Sequence, residues 1–111
     1  EITTTGETTV AELSNGAVRT FTLSPEQVCL KRYDKSELRG GDAAFNAAAL
    51  RAMLGGAAGA YRDTVLMNAG AGLVVAGKAS ALQDGVAMAA DAIDGGRAVA
   101  GLDRLIAVSN G

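Results

Sequence analysis

The chain contains no histidine in its 111 residues. That removes the commonest general base, the commonest metal ligand and every Ser-His or Cys-His nucleophile arrangement. One cysteine, Cys29, cannot form an internal disulfide and cannot build a cysteine-based zinc site. No secretory apolar region opens the chain, so a reducing cytoplasm is the expected location. No apolar run is long enough for a membrane. The stretch around Val74 is interrupted by Arg62, Asp63, Lys78 and several glycines. An excess of basic residues is also lacking. Lys plus Arg number 10 against 12 Asp plus Glu, a formal charge of −2. This balance argues against a nucleic-acid or anionic-membrane partner, which would need a basic surface. Chemistry within the chain is therefore left to carboxylates, Lys, Arg and backbone groups.

What is present suffices for one modest domain. Hydrophobic residues make up 49% and charged residues 20%, so a core can form. No fixed-period repeat or low-complexity linker divides the chain. It opens with "EITTTGETTVAEL" rather than Met, which reads as a piece of a longer protein.

Residues 1–25 read as a hairpin region. Asn15-Gly16 suits a type I′ turn, since both residues tolerate positive φ. A two-residue loop there pairs Ser14 with Ala17, Leu13 with Val18, Glu12 with Arg19 and Val10 with Phe21. Apolar residues occur on both faces, so the hairpin is expected to join a larger sheet or lie under helices. Ser24-Pro25 then marks a short helical turn, followed by the polar, irregular stretch "KRYDKSELRGG".

Residues 42–107 read as about four packed α-helices. Asp42 caps the first. Its stripes are Phe45, Ala49, Met53 and Leu50, Leu54, with Gly55-Gly56 as the stop. The second spans roughly Tyr61 to Gly77, with Val65, Leu66, Ala69, Leu73 and Val74 on one side. Ser80 is the expected cap of the third, whose stripe is Leu82, Val86, Ala89, Ala90 and Ile93. The last follows Asp94-Gly95-Gly96 and carries Val99, Leu102, Leu105 and Ile106. Abundant Ala and Gly imply close helix–helix approach.

Several residues could carry chemistry. Gly40-Gly41-Asp42 precedes a helix, as phosphate-cradling loops do. It lacks the Lys and Ser/Thr of a Walker loop and the spacing of a dinucleotide fingerprint, and Asp42 would repel an anion. A tight turn with an N-cap is the expectation. Asn46 and Asn68 could touch a ligand, but each is expected to satisfy a buried backbone group or join two helices. Arg62-Asp63 could be a working pair; a helix-start carboxylate with a local ion pair is expected instead. Cys29 has nothing nearby to lower its pKa and is expected to behave as a small apolar residue. The Thr3-Thr4-Thr5-Gly6 run fits either a polar ligand loop or a strand lead-in. Glu1 offers oxygen ligands for a hard cation.

The segments "ETTVAEL", "LRGGDAAFNAAALRAMLGG", "YRDTVLMNAGAGLVVAGKA" and "ALQDGVAMAADAIDGGRAVAGLDRL" occur in order. Together they resemble the C-terminal part of the anthranilate phosphoribosyltransferase family. Gly-Gly-Asp opening a helix that carries an Asn, followed by Arg-Asp-x-Val-x-x-Asn-Ala, is the specific signature. The resemblance covers nearly all of this chain and about the last third of the family's usual length.

It implies an α/β fold in the intact protein, with residues 1–111 as one incomplete domain. The implied activity joins anthranilate to phosphoribosyl pyrophosphate in tryptophan biosynthesis. The family's glycine-rich donor loop, its flexible loop and its anthranilate-binding residues all precede Glu1. No catalytic residue is therefore assigned here, the substrate-binding residues stay unknown, and the segment alone is expected to be inactive. The implied cofactor is magnesium, held by an Asp-Glu pair of which Glu1 resembles the second member. The implied partners are the two substrates, the N-terminal part of the same protein and, when intact, a second copy in a homodimer. The chain departs from the family at Cys29, where Gly is usual in "P-E-x-x-G-L". A pyrimidine nucleoside phosphorylase-like segment shares the fold and is one alternative; a non-enzymatic helical interaction module is another.

Overall fold

The structure, a computed structural model, describes residues 1–111 throughout. Strands β1 (Thr8–Ser14) and β2 (Ala17–Leu23) form an antiparallel hairpin. Its register is the one the Asn15-Gly16 turn predicts: Ser14 opposite Ala17, Glu12 opposite Arg19, Val10 opposite Phe21. Asn15 and Gly16 take φ of 52° and 78°, the double left-handed conformation of a type I′ turn. Glu12 and Arg19 form an ion pair, and the Arg19 guanidinium lies over the Phe21 ring. The sheet has two strands only. At the base of the hairpin, Val10, Phe21 and Leu23 face a hollow shared with Ile2, Val74, Val75 and Leu82.

Two short 3-10 turns connect the hairpin to the helices. Pro25–Val28 follows Ser24, whose N–H donates to Gln27 Oε1 at 3.2 Å. The second, Lys35–Leu38, lies in the stretch expected to be irregular. Asp34 makes it regular: its Oδ1 accepts from the Ser36 N–H at 2.8 Å, and the Asp34 N–H donates to Glu37 Oε2 at 2.9 Å. This is a reciprocal capping box.

Four helices follow: α1 (Ala43–Leu54), α2 (Ala60–Val75), α3 (Leu82–Asp94) and α4 (Arg97–Ser109). The helical region thus ends at Ser109, not 107, and α2 begins one residue before Tyr61 and stops at Val75. Ser80 does not cap α3. The first carbonyl to accept an intrahelical bond is that of Ala81, from the Gly85 N–H, so the helix starts one residue too late for Ser80 to reach its amides. The Ser80 hydroxyl donates instead to Asp84 Oδ2 at 2.9 Å.

The core gathers Val28, Met53, Leu54, Leu66, Met67, Val86, Ala89 and Ile93. Met67 is fully buried, although the stripe read from the sequence passes beside it. The expected stripe residue Phe45 is 58% exposed, because α1 turns only its Met53–Leu54 end into the core. Leu105 and Ile106 are likewise exposed on α4. The glycines act as expected: α2 and α3 cross at Gly70 and Gly85 with backbones in contact.

Candidate functional site

The N-terminal segment lies against the start of α2, and two side chains of that helix hold it. Thr64 and Asn68 are one helical turn apart and share a face. Asn68 Oδ1 accepts from the Ile2 N–H at 2.9 Å, while its Nδ2 donates to the Ile2 carbonyl at 2.8 Å and to the Thr64 carbonyl at 2.8 Å. Thr4 is completely buried, and its hydroxyl shares a 2.7 Å hydrogen bond with that of Thr64. The Thr4 carbonyl accepts from the Tyr33 N–H at 2.9 Å.

Pinning at Ile2 and Thr4 leaves Glu1, Thr3 and Thr5 on a hollow that Lys35, Leu38 and Thr64 complete. The Thr3 and Thr5 hydroxyls share a 2.9 Å hydrogen bond, and Thr3 Oγ1 also accepts from the Thr5 N–H at 3.0 Å. The four ion pairs of the chain all lie elsewhere, so the exposed Glu1 carboxylate has no cationic partner in contact. A neighbouring hollow, lined by Glu1, Leu38, Tyr61, Thr64, Val65 and Asn68, continues along α2. No group of three or more Cys, Asp or Glu converges on a point that could hold a metal.

Arg62 and Asp63 do not pair with each other. Successive residues on a helix diverge by about 100°. Arg62 Nη2 reaches Asp94 Oδ2 at the end of α3, at 2.8 Å, while its Nη1 is buried without a partner. Asp63 Oδ2 accepts from the Tyr33 hydroxyl at 2.8 Å. Desolvation, then that carboxylate, push the Tyr33 phenol up to about 12. Lys31 Nζ stands 4.5 Å from the centre of the Tyr33 ring.

The Gly40-Gly41-Asp42 turn is occupied by the chain's own groups. Asp42 Oδ1 accepts from the Phe45 N–H at 2.8 Å, as an N-cap does. The Asn46 carboxamide pairs with both polar groups of Gly41, accepting from its N–H at 2.9 Å and donating to its carbonyl at 3.0 Å. The backbone that Asn46 serves is exposed, where a buried one was expected. A Cβ on Gly40 would lie 2.9 Å from Asn46 Oδ1, so a larger residue there would push the Asn46 carboxamide aside. An amide already bonded to Asn46 is not free for phosphate.

Cys29 is exposed rather than packed as a small apolar residue. It takes φ 60° and ψ 25°, the left-handed conformation that ends the Pro25–Val28 turn. A glycine adopts that conformation without a steric penalty.

Sequence reasoning missed the roles of Thr64, Tyr33 and Lys35. Thr64 carried a readable signal, four residues before Asn68 on the same helix face. Tyr33 and Lys35 carried none, because each acts across a loop.

The model of the glycosyl transferase family, a/b domain, matches residues 1–99. The anthranilate phosphoribosyltransferase of Mesorhizobium japonicum is 73% identical over all of this chain, which spans 33% of that protein. That of Brucella ovis is 56% identical over 99% of this chain and 32% of its own length. The crystal structure of anthranilate phosphoribosyltransferase from Thermus thermophilus superposes with a TM-score of 0.84. It is 39% identical, covering 93% of this chain and 31% of that one. The chain thus spans about a third of the length of the curated relatives it matches. With a hairpin and four helices in the arrangement of that solved structure, and a family match across nearly its whole length, the chain belongs to the glycosyl transferase family as part of its a/b domain.

Proposed function

We propose that residues 1–111 form the C-terminal part of an anthranilate phosphoribosyltransferase acting in tryptophan biosynthesis. The observation that carries this reading is the 73% identity, without interruption in coverage, to the Mesorhizobium relative of that name. In the intact enzyme the amino nitrogen of anthranilate bonds to C1 of the phosphoribosyl group. The bond from C1 to pyrophosphate breaks, its electron pair leaves with pyrophosphate, and the nitrogen sheds one proton to solvent.

Glu1 is the residue of this chain assigned to the cation. Magnesium takes oxygen ligands and is commonly held by one or two carboxylates with waters and substrate phosphates. An exposed carboxylate without an ion-pair partner, beside two threonine hydroxyls, fits one place in such a set. The second carboxylate would come from outside residues 1–111. When bound, magnesium offsets the negative charge that builds on the departing pyrophosphate. Lys35, on the same hollow, suits phosphate oxygens better than a metal.

The reading expects the rest of the α/β domain to cover exposed apolar side chains of this chain. Leu13, Val18, Val75, Leu105 and Val108 are between 64% and 89% exposed, a large apolar area for a chain of this size. The reading also carries a homodimer and a cytoplasmic location for the full-length protein. No helix is long and apolar enough to cross a membrane.

The test is an assay of two proteins with anthranilate, phosphoribosyl pyrophosphate and magnesium. The full-length protein that carries this segment should form phosphoribosyl anthranilate. Residues 1–111 alone should show no turnover above a protein-free control. A full-length protein without that activity would overturn the reading.

A further inference from the structure

We propose that Asn68 is a positioning residue for Glu1, holding its carboxylate at the place where a divalent cation binds. The inference rests on the reading of Glu1 as a metal carboxylate. Its ground is that Asn68 commits its carbonyl oxygen and both amide hydrogens to backbone groups. The Oδ1 atom takes the Ile2 N–H, and the two Nδ2 hydrogens go to the carbonyls of Ile2 and Thr64. A carboxamide so bonded has one rotamer and one orientation.

The Ile2 N–H belongs to the peptide plane that also contains the Glu1 Cα and carbonyl. Holding that N–H holds the plane, and with it the position of the Cα from which the Glu1 side chain departs. The Ile2 carbonyl, bonded to the same side chain, fixes the next plane. Thr4 anchors the segment two residues further on, through Thr64. Glu1 itself has no side-chain hydrogen bond and no ion pair to orient it. The backbone clamp is the device the chain provides for placing the carboxylate. Outer contacts of this kind set metal affinity without touching the metal.

The experiment measures magnesium affinity of the full-length protein by titration calorimetry in the absence of turnover, with thermal melts of the metal-free protein alongside. Three variants are compared: Glu1→Gln, Asn68→Leu and the double variant. Glu1→Gln should weaken magnesium binding. Asn68→Leu should weaken it roughly tenfold or more. The double variant should be no weaker than Glu1→Gln alone, because a clamp without its carboxylate has nothing to place. Leu73→Ala, a packing change on the same helix away from both hollows that Glu1 lines, serves as a control for lost stability and should leave magnesium affinity unmoved. If Asn68→Leu does not fold, Asn68→Ser carries the same expectation. Weaker binding in Glu1→Gln but unchanged binding in the Asn68 variant overturns the positioning role and leaves Glu1 standing. Unchanged binding in Glu1→Gln overturns the Glu1 reading, and the inference falls with it. Equal loss of affinity in Leu73→Ala would show a general softening of α2 and would also overturn it.

Discussion

Gly70 and Gly85 bring the backbones of α2 and α3 into direct contact: a Cβ on Gly85 would lie 2.4 Å from the Gly70 carbonyl oxygen. The reciprocal Cβ, on Gly70, would lie 2.8 Å from the Val86 nitrogen. Both atoms in the way are backbone, so no side chain can swing aside. The two helices carry much of the core, including Leu66, Met67, Val86, Ala89 and Ile93. Spreading them would open that core.

Gly85→Ala should therefore destabilise the full-length protein by about 1–3 kcal/mol or more, the usual cost of forcing extra volume into a packed contact. Alanine is the better helix former, so intrinsic propensity alone would make the change stabilising by about 1 kcal/mol. The sign of the measured change decides between them. Denaturant unfolding should show a lower midpoint for Gly85→Ala, while Gly101→Ala on α4, where a Cβ meets open space, should not fall.

Cys29 allows the opposite prediction. Its left-handed conformation costs a residue with a Cβ about 1–2 kcal/mol. Glycine avoids that cost but loses more chain entropy on folding, about 0.5–1 kcal/mol. Cys29→Gly should come out stabilising by up to about 1 kcal/mol, with Cys29→Ala near neutral because it keeps the Cβ. Glycine is the residue usual here in the family that the sequence resembles. The backbone supplies the reason, and equal midpoints for Gly and Ala would remove it.

Tyr33 should titrate late. Its phenol is raised to about 12 by desolvation and by the hydrogen bond to Asp63, against 10.0 for the ordinary group. A raised folded-state value means that the protonated form is favoured in the folded state. The associated stability is complete below about pH 10 and is lost as pH rises toward 12. Tyrosinate absorbance on a pH titration should show one late phase, and Tyr33→Phe should remove that phase. The same variant should flatten the loss of stability over that range. A Tyr33 signal at the ordinary value would exclude the bond to Asp63 in solution.

The parts of this fold that sequence made legible are local. Asn15-Gly16 fixes a two-residue turn, and the turn fixes the register down to Glu12 opposite Arg19. Asp42 reads as a cap because its partner amide is three residues away. The errors arise where the deciding contact is distant or shifted by one residue. Ser80 and Ala81 differ only in which carbonyl opens α3. Phe45 fits the apolar stripe, yet the start of α1 reaches beyond the core. The candidate site divides the same way. Asn46 meets a backbone group five residues away, whereas Asn68 meets one 66 residues away, a partner no periodicity reveals. The position of Cys29 in left-handed space was invisible in composition and needed the backbone itself.

The last prediction concerns the turn before α1. Asp42 accepts the Phe45 N–H and sits at the positive end of the helix, while Asn46 holds both polar groups of Gly41. Each of these bonds closes within the chain, so the Gly41 and Phe45 amides are not free for a ligand. Asp42→Ala in the full-length protein should cost about 0.5–2 kcal/mol of stability. On the proposed function, it should leave the KM for phosphoribosyl pyrophosphate nearly unchanged, because the group lost served the helix and not the donor. Were Asp42 to reach the donor through a water or a cation, the pattern would invert. KM would rise and the melting temperature would barely move. Thermal melts and donor-dependent kinetics on the same variant separate the two, and Asp42→Ser, which keeps a capping oxygen without the charge, sharpens the result. Under the capping account Asp42→Ser recovers most of the lost stability. Under donor contact Asp42→Ser would leave the melting temperature where it was and KM as poor as in Asp42→Ala.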